Sequence, residues 1–407
     1  MLRRLVPLLA LVAAALVPPA AAVGDQGQST AVISTAMDGR PANGDSVAPA
    51  ISGDRRWARY IAFESDASNL VAGDTNGQRD VFVVTRGGLL RNDGSPWSLG
   101  GTTLISRAAD GGPADGPSGG AALDGSFSGT RGGQELFQPS CVAFVSSASN
   151  LVPDDTNGVA DAFVSRGPGG ALERVSADNG GVTQVAVSGD CSRIAFVEGG
   201  RVRVRVGGRI VDLGPGQDPS FAVGQTKDLV FGAPTGVKLA RGGVHRAKTV
   251  VPGGANPAYN DVKRRIVAYE KGGQVAFRGL GGTRDCRCDD KERVVSRRRA
   301  LGNARSHDPV IGSAGAYVTF TTDASNLSLD ALGHRGDRNG KPDVYLYTDR
   351  RKLTLVQSVA DQAVPAGGEH GTMSYYANYV LFDAVWPLGD TSTSGRRQVF
   401  LRYLDGV

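Results

Sequence analysis

Apolar residues in this chain come in short runs separated by polar, glycine-rich turns, and one arrangement of runs and turns returns three times. Residues 60–83 read YIAFESDASNLVAGDTNGQRDVFV and residues 141–164 read CVAFVSSASNLVPDDTNGVADAFV, aligning without a gap. Residues 317–346, YVTFTTDASNLSLDALGHRGDRNGKPDVYL, form a third copy with a longer loop. Each copy predicts a hairpin of half-buried strands. The first strand centres on Phe63, Phe144 or Phe320, and the second covers 81–83, 162–164 or 344–346.

Two further signals flank the hairpins. Upstream lies a Pro-led segment ending in Ser and Gly at 49–53, repeated at 309–313 and, less regularly, from Pro117. Downstream a strand ends in a hydroxyl residue, at 104–106, 174–176, 294–296 and 355–358. Four antiparallel strands per unit is the anatomy of a propeller blade. On that template innermost strands begin near Pro49, Pro117, Val185, Pro219, Pro257, Pro309 and Pro365. Second strands centre on Phe63, Phe144, Phe196, Phe231, Tyr269, Phe320 and Phe382. The expected fold is all-β, a single seven-bladed β-propeller of four-stranded antiparallel blades over residues 23–407, with surplus length in loops at 86–101 and 124–138. The last blade lacks chain for a fourth strand after 398–401. Residues 30–39, TAVISTAMDG, match 103–111, TLISRAADG, and so predict an N-terminal outer strand that pairs into that blade, closing the ring and covering an open edge.

The succession Pro-x-x-Ser-Gly-Asp, apolar strand, A-S-N-L-V, D-T-N-G and D-V-F-V resembles the TolB-type, WD-repeat-like propeller repeats of exported bacterial proteins. The resemblance covers nearly all of 23–407. It is strongest in blades one, two and six and weakest in three to five, which lack the A-S-N-L-V and D-T-N-G loops. It implies a non-catalytic binder of ligands or proteins in the cell envelope.

Composition narrows the reading. Gly and Pro make up about a fifth of the 407 residues, against roughly one in eight in average usage, as a loop-rich chain requires. With 40% hydrophobic residues and near-balanced charge, disorder and collagen are excluded. Arg3 and Arg4 precede an apolar run at 5–17, Pro18, Pro19 and the small residues Ala20, Ala21 and Ala22, which together predict a signal peptide over 1–22. The mature protein is thus expected outside the cytoplasm, in the envelope, the periplasm or the medium, as a monomer without a membrane span. Its net charge of +5 falls by two with the leader arginines and is too diffuse for nucleic-acid binding. The stretch RVRVRV at 201–206 reads as a strand with a solvated arginine face or as an anion-binding stripe. Cys141 and Cys191 open second strands of adjacent blades and are expected to form a disulfide. Cys286 and Cys288 form a tight local pair or remain thiols.

Candidate chemistry lies in loops. The pattern D-x-N-G-x-x-D occurs at Asp74, Asn76 and Asp80, at Asp155, Asn157 and Asp161, and at Asp337, Asn339 and Asp343. Spaced oxygens around a turn glycine suit calcium, the one cofactor the sequence suggests. They equally suit a hydrogen-bonded hairpin turn. The sequence GPSGG at 116–120 satisfies the G-x-S-x-G expression, but Ser118 falls in an innermost strand, where no nucleophile elbow can form. Of His245, His307, His334 and His370, none lies in a metal-ligating pair, and His307 falls nearest the central channel. The entrances of the innermost strands supply Asp115, Gln184, Gln217, Asp218, Asn256, His307 and Asp308, a polar set without a catalytic triad, on the same side as the acidic loops. The sequence therefore points to an exported scaffold binding an envelope protein or glycan; the alternative is a propeller hydrolase or lyase with a channel metal. Exported protein should start near Val23, and an intact mass that still includes residues 1–22 would contradict the leader.

Overall fold

The middle strands are apolar at consecutive rather than alternate positions. Ile61, Ala62 and Phe63 are all inaccessible to solvent, as are Val81 to Val84 and Tyr379 to Phe382. A strand of that kind belongs to a sheet covered on both faces. The computed structural model describes residues 23–404 apart from 26–27, 89–94, 131–132, 138, 178–179, 224–226, 263–264, 282–290, 313–316, 328–338, 349–352, 357–366 and 386–394. The expected leader and Cys286, Cys288, His334, Asp337, Ser358 and Pro365 lie outside the described residues.

Seven antiparallel sheets follow one another along the chain. Blade 1 comprises Ser46–Ile51, Tyr60–Ser65, Asp80–Arg86 and Leu99–Leu104. Blade 2 comprises Ser118–Leu123, Val142–Ser146, Asp161–Ser165 and Leu172–Arg174. The innermost strands of blades 3 to 6 are Val182–Val187, Gln217–Phe221, Ala255–Asn260 and Ser306–Ile311. Blade 7 is built from Glu369–Met373, Tyr379–Ala384 and Gln398–Leu404, with Gln28–Val32 as its fourth strand and Val23–Asp25 beyond it. The chain is therefore a seven-bladed β-propeller closed by its N-terminal strand. No helix among the described residues is long and apolar enough to cross a membrane.

Three details differ from the sequence reading. The closing strand stops at Val32, because Ser34 leaves the ladder to lock blade 7. Its Oγ donates to Gln398 Oε1 (2.6 Å) and accepts from the Val399 N–H (3.0 Å). Part of the expected loop at 124–138 instead pairs as two strands, Ser126–Thr130 with Gly133–Phe137. The innermost strand of blade 7 starts at Glu369 rather than near Pro365. Gly371 there takes the place that Pro49, Pro219, Pro257 and Pro309 hold in other blades, which misleads an alignment anchored on proline.

The core is divided into seven apolar clusters, one at each blade interface. Ile61, Phe63 and Phe82 pack against Tyr379, Leu381 and Leu401 of blade 7, whereas Ala62, Val81 and Val83 pack against Phe144 and Phe163 of blade 2. The same alternation continues around the ring. Paired rings on neighbouring strands recur, Phe63–Phe82 at 5.9 Å, Phe144–Phe163 at 5.8 Å and Phe382–Phe400 at 5.6 Å, each contributing about 0.5–1.5 kcal/mol beyond area burial.

Fourth-strand hydroxyls clamp third strands repeatedly. Ser106 Oγ donates to Asp80 Oδ1 (2.5 Å) and accepts from Val81 N–H (3.0 Å). Ser176 does the same with Asp161 and Ala162, and Ser296 with Gln274 and Val275. Ser34 supplies this clamp to blade 7 from the other end of the chain.

Cys141 and Cys191 are joined, linking blades 2 and 3 across a sequence separation of 50. Asp124 orders the approach by accepting N–H bonds from Ser140 and Cys141. Closing a loop of that length constrains the unfolded chain by about 4 kcal/mol in the chain-entropy model. Urea unfolding of Cys141→Ser/Cys191→Ser protein should show a loss of about 2–4 kcal/mol; stability equal to that of oxidised protein would contradict a structural bridge.

Candidate functional site

The innermost strands contact one another in sequence around the ring and enclose the central channel. Each carries a bulge near its start, where the register against the second strand slips. In six blades the first bulge residue has a left-handed backbone: Ala48 (φ 51°), Gly120 (63°), Asp218 (52°), Asn256 (41°), Asp308 (51°) and His370 (51°). For residues other than Gly this conformation costs about 1–2 kcal/mol, least for Asn and Asp. Four consecutive blades, 4 to 7, place a polar side chain there.

These residues form hydrogen-bonded groups at successive blade interfaces. The Gln184 amide spans to blade 4, with Nε2 donating to Asp218 Oδ1 and Oε1 accepting the Asp218 N–H, both at 2.7 Å. Asn256 Nδ2 donates to Asp308 Oδ1 and to Glu270 Oε1, both at 2.8 Å. Glu270 Oε1 also accepts the Asp308 N–H (3.0 Å), and Arg305 donates to its other oxygen (3.0 Å). His307 Nδ1 pairs with Asp308 Oδ2 at 2.7 Å. At the ring's seam His370 Nδ1 meets Asp383 Oδ2 at 2.6 Å, and the same oxygen accepts the Ala48 N–H at 3.0 Å. Arg397 bridges Asp383 and Glu369. Glu64 Oε1 accepts the Gly120 N–H (2.6 Å). A carboxylate on a second strand thus holds the bulge N–H of the following blade at three interfaces, Glu64, Glu270 and Asp383.

The charges respond to this packing. Burial pushes Glu64 above the usual carboxylate range against the pull of the Gly120 N–H and Arg79. Burial also raises Asp218, aided by the charges of Glu270 and Asp308. The His307 hydrogen bond holds Asp308 low, and the same bond raises His307. His370 is raised by its bond to Asp383, with Asp308 and Glu369 adding to the effect.

Donor atoms of Glu369, His370 and Asp383 converge within 4.8 Å of one another, a spacing that could hold a metal ion. The Arg397 guanidinium already lies on both carboxylates. Asp124, Cys141 and Cys191 converge similarly, with their sulfurs committed to the disulfide.

Of the residues singled out in the sequence, Gln184, Asp218, Asn256, His307 and Asp308 belong to the hydrogen-bonded groups at the mouth, and Gln217 stands exposed beside them. Asp115 sits further out. Its carboxylate accepts from Ser149 N–H (2.7 Å) and Oγ (2.6 Å), and its N–H donates to Asn150 Oδ1 (3.1 Å). Asn43 and Asn303 make matching bonds to Ser68 and Asn69 and to Ser325 and Asn326, so the A-S-N-L motif clamps the connection into blades 1, 2 and 6. Ser118 donates to Ser146 within the strand interior. Arg201, Arg203 and Arg205 are ion-paired with Asp212, Glu198 and Glu173. Glu64, Glu270, Glu369, Asp383 and Arg397 were not singled out in the sequence, and His370 was noted only as lying in no metal-ligating pair. The signal for three of them was an acidic residue ending an apolar second strand, in YIAFES, IVAYEK and YVLFDA.

In the D-x-N-G-x-x-D loops, Gly77 (φ 63°), Gly158 (70°) and Gly340 (62°) take the left-handed turn position. Asn76 Oδ1 accepts the Gln78 N–H and its Nδ2 donates to Asp80 Oδ2; Asn157 does the same with Val159 and Asp161. Asn339 accepts from Lys341 N–H, and Asp343 is buried beside it in the third loop.

Fold and site together define a seven-bladed β-propeller with a polar channel mouth. No protein-family model matches the chain, and no curated protein is significantly similar to it. Solved structures similar to it include TolB from Acinetobacter baumannii, at 11% identity over 70% of this chain and 80% of that one (TM-score 0.37). The β-propeller domain of the Trilobed protease from Pyrococcus furiosus, described as having an open velcro topology, matches at 8% identity over 89% and 96% (TM-score 0.45). An oligogalacturonate lyase in complex with manganese matches at 10% identity over 72% and 99% (TM-score 0.38). The likeness is one of fold alone.

The raised His370 gives a signed prediction. A histidine whose folded pKa lies above its unfolded value stabilises the fold fully below about pH 6.5, and that contribution disappears as pH rises through the folded pKa. His370→Gln should therefore lower the melting temperature more at about pH 5.5 than at about pH 8.5. An equal deficit at both values would contradict an ionic His370–Asp383 pair.

Proposed function

We propose that the protein is an exported, non-catalytic binding scaffold whose partner, an envelope protein or glycan, docks on the channel mouth. The observation that carries this reading is the run of four left-handed polar residues, Asp218, Asn256, Asp308 and His370, the first three held by bonds from neighbouring blades and His370 by Asp383 of its own blade. Strain of that kind is retained where the surrounding structure fixes side chains for a ligand. Rigid prepositioning lowers the ordering cost of association. The Cys141–Cys191 disulfide supports an oxidising compartment.

The convergence of Glu369, His370 and Asp383 favours the second reading, a propeller hydrolase or lyase with a channel metal. Against it stands Arg397, whose positive charge occupies the place beside both carboxylates. One equivalent of tightly held transition metal in the purified protein would replace the scaffold reading.

Asp218→Asn/Asp308→Asn removes two mouth charges while keeping residues that tolerate the left-handed backbone. Immobilised double variant should bind protein or glycan fractions of the cell envelope at least about tenfold more weakly than the parent protein, at an unchanged fold. Equal binding by both proteins contradicts docking at the mouth.

A further inference from the structure

The acidic loops of blades 1 and 2 are nearly identical in sequence, yet they differ in what faces their carboxylates. In blade 2, Arg174 Nη1 lies 3.3 Å from Asp155 Oδ1 and 3.4 Å from Asp161 Oδ2, so a guanidinium sits between the first and last acids of the motif. The strand pairing identifies the equivalent position in blade 1. Arg174 is opposite Phe163, and Leu104 is opposite Phe82, the matching aromatic residue. Leu104 is 3% exposed and packs into the core, offering no charge.

Asp74 is left without a counterion. It is 6% exposed, and no hydrogen-bond donor or cation meets its carboxylate among the described residues. It lies close enough to Asp80 for the two charges to repel, and burial with that repulsion pushes Asp74 up to about 6. Asp80 is held in place by Ser106 and Asn76, while Asn76 is anchored in turn to the Ala114 carbonyl. A carboxylate in a residue only 6% exposed, with a second fixed carboxylate close enough to repel it, is costly unless a cation or a proton joins them. In blade 2 the protein supplies that cation itself.

We propose that the blade 1 loop is a divalent-cation site of calcium type formed on Asp74 and Asp80, and that Arg174 closes the equivalent place in blade 2 to metal. Hard carboxylate oxygens on a turn are the donor set calcium favours. The sequence motif alone does not separate the two loops; the residue across the sheet does.

The test is calcium titration of the full-length mature protein after chelation, followed by calorimetry and thermal melting. Wild-type protein should bind calcium and melt about 3 °C higher at a calcium concentration about one hundred times Kd. Asp74→Asn, a near-isosteric change that removes one buried charge, should weaken calcium binding about tenfold or more and melt no lower than metal-free wild type. Asp155→Asn should leave calcium affinity within about twofold of wild type. Absence of calcium binding in the wild-type protein overturns the proposal, as does calcium binding by Asp74→Asn equal to wild type. An equal loss in Asp155→Asn overturns the assignment to blade 1. Each variant's far-ultraviolet circular dichroism confirms that the comparison is between folded proteins.

Discussion

Two-sided burial of the blades governs this structure. A sheet whose middle strands are apolar on both faces cannot stand in water, so each blade requires a neighbour on either side, and only a closed ring supplies all of them. That constraint explains why the termini meet. Without Gln28–Val32 the last blade would expose the edge of Gln398–Leu404 and leave Gln398 without its Ser34 partner. Seven clusters of moderate size replace a single large core. The disulfide between blades 2 and 3 adds a covalent link between two of the units.

A ring stabilised at its interfaces can hold strain at its centre. The bulges tilt the start of each innermost strand, and the second-strand carboxylates Glu64, Glu270 and Asp383 reach across to hold the next bulge by its N–H. The interactions that lock one blade to the next are therefore the same ones that order the channel mouth. Acid, amide and imidazole groups there are bonded mainly to each other, which fixes their directions while leaving exposed neighbours such as Gln217 and Ala255 at the surface. Protonation of His307 and His370 changes the net charge of this surface.

The architecture was legible because its determinants are local and repeated. Phe63, Phe144 and Phe320 mark equivalent strands through an ungapped or nearly ungapped pattern, and the orphan strand after residue 30 is identified by its likeness to 103–111. The Cys141–Cys191 pairing followed from equivalent blade positions. The mouth was only half legible. Asp218, Asn256 and Asp308 stand before proline and stood out, but His370 precedes Gly371, and Glu64, Glu270 and Asp383 look like ordinary strand ends until the ring brings them against the next blade. The difference between the two acidic loops was illegible for a related reason. It resides in Leu104 and Arg174, which are distant in sequence from the motif and meet it only through the register of the fourth strand.

The proposed scaffold takes its partner where the innermost strands begin. The most direct measurement places a photo-crosslinking amino acid at Gln217 or Ala255, exposed residues at the mouth, and at Lys248, exposed on the outermost strand of blade 4, in protein produced by its own cell. A partner docked at the mouth gives a discrete adduct from the two mouth positions and none from Lys248. Adducts from Lys248 alone would contradict it.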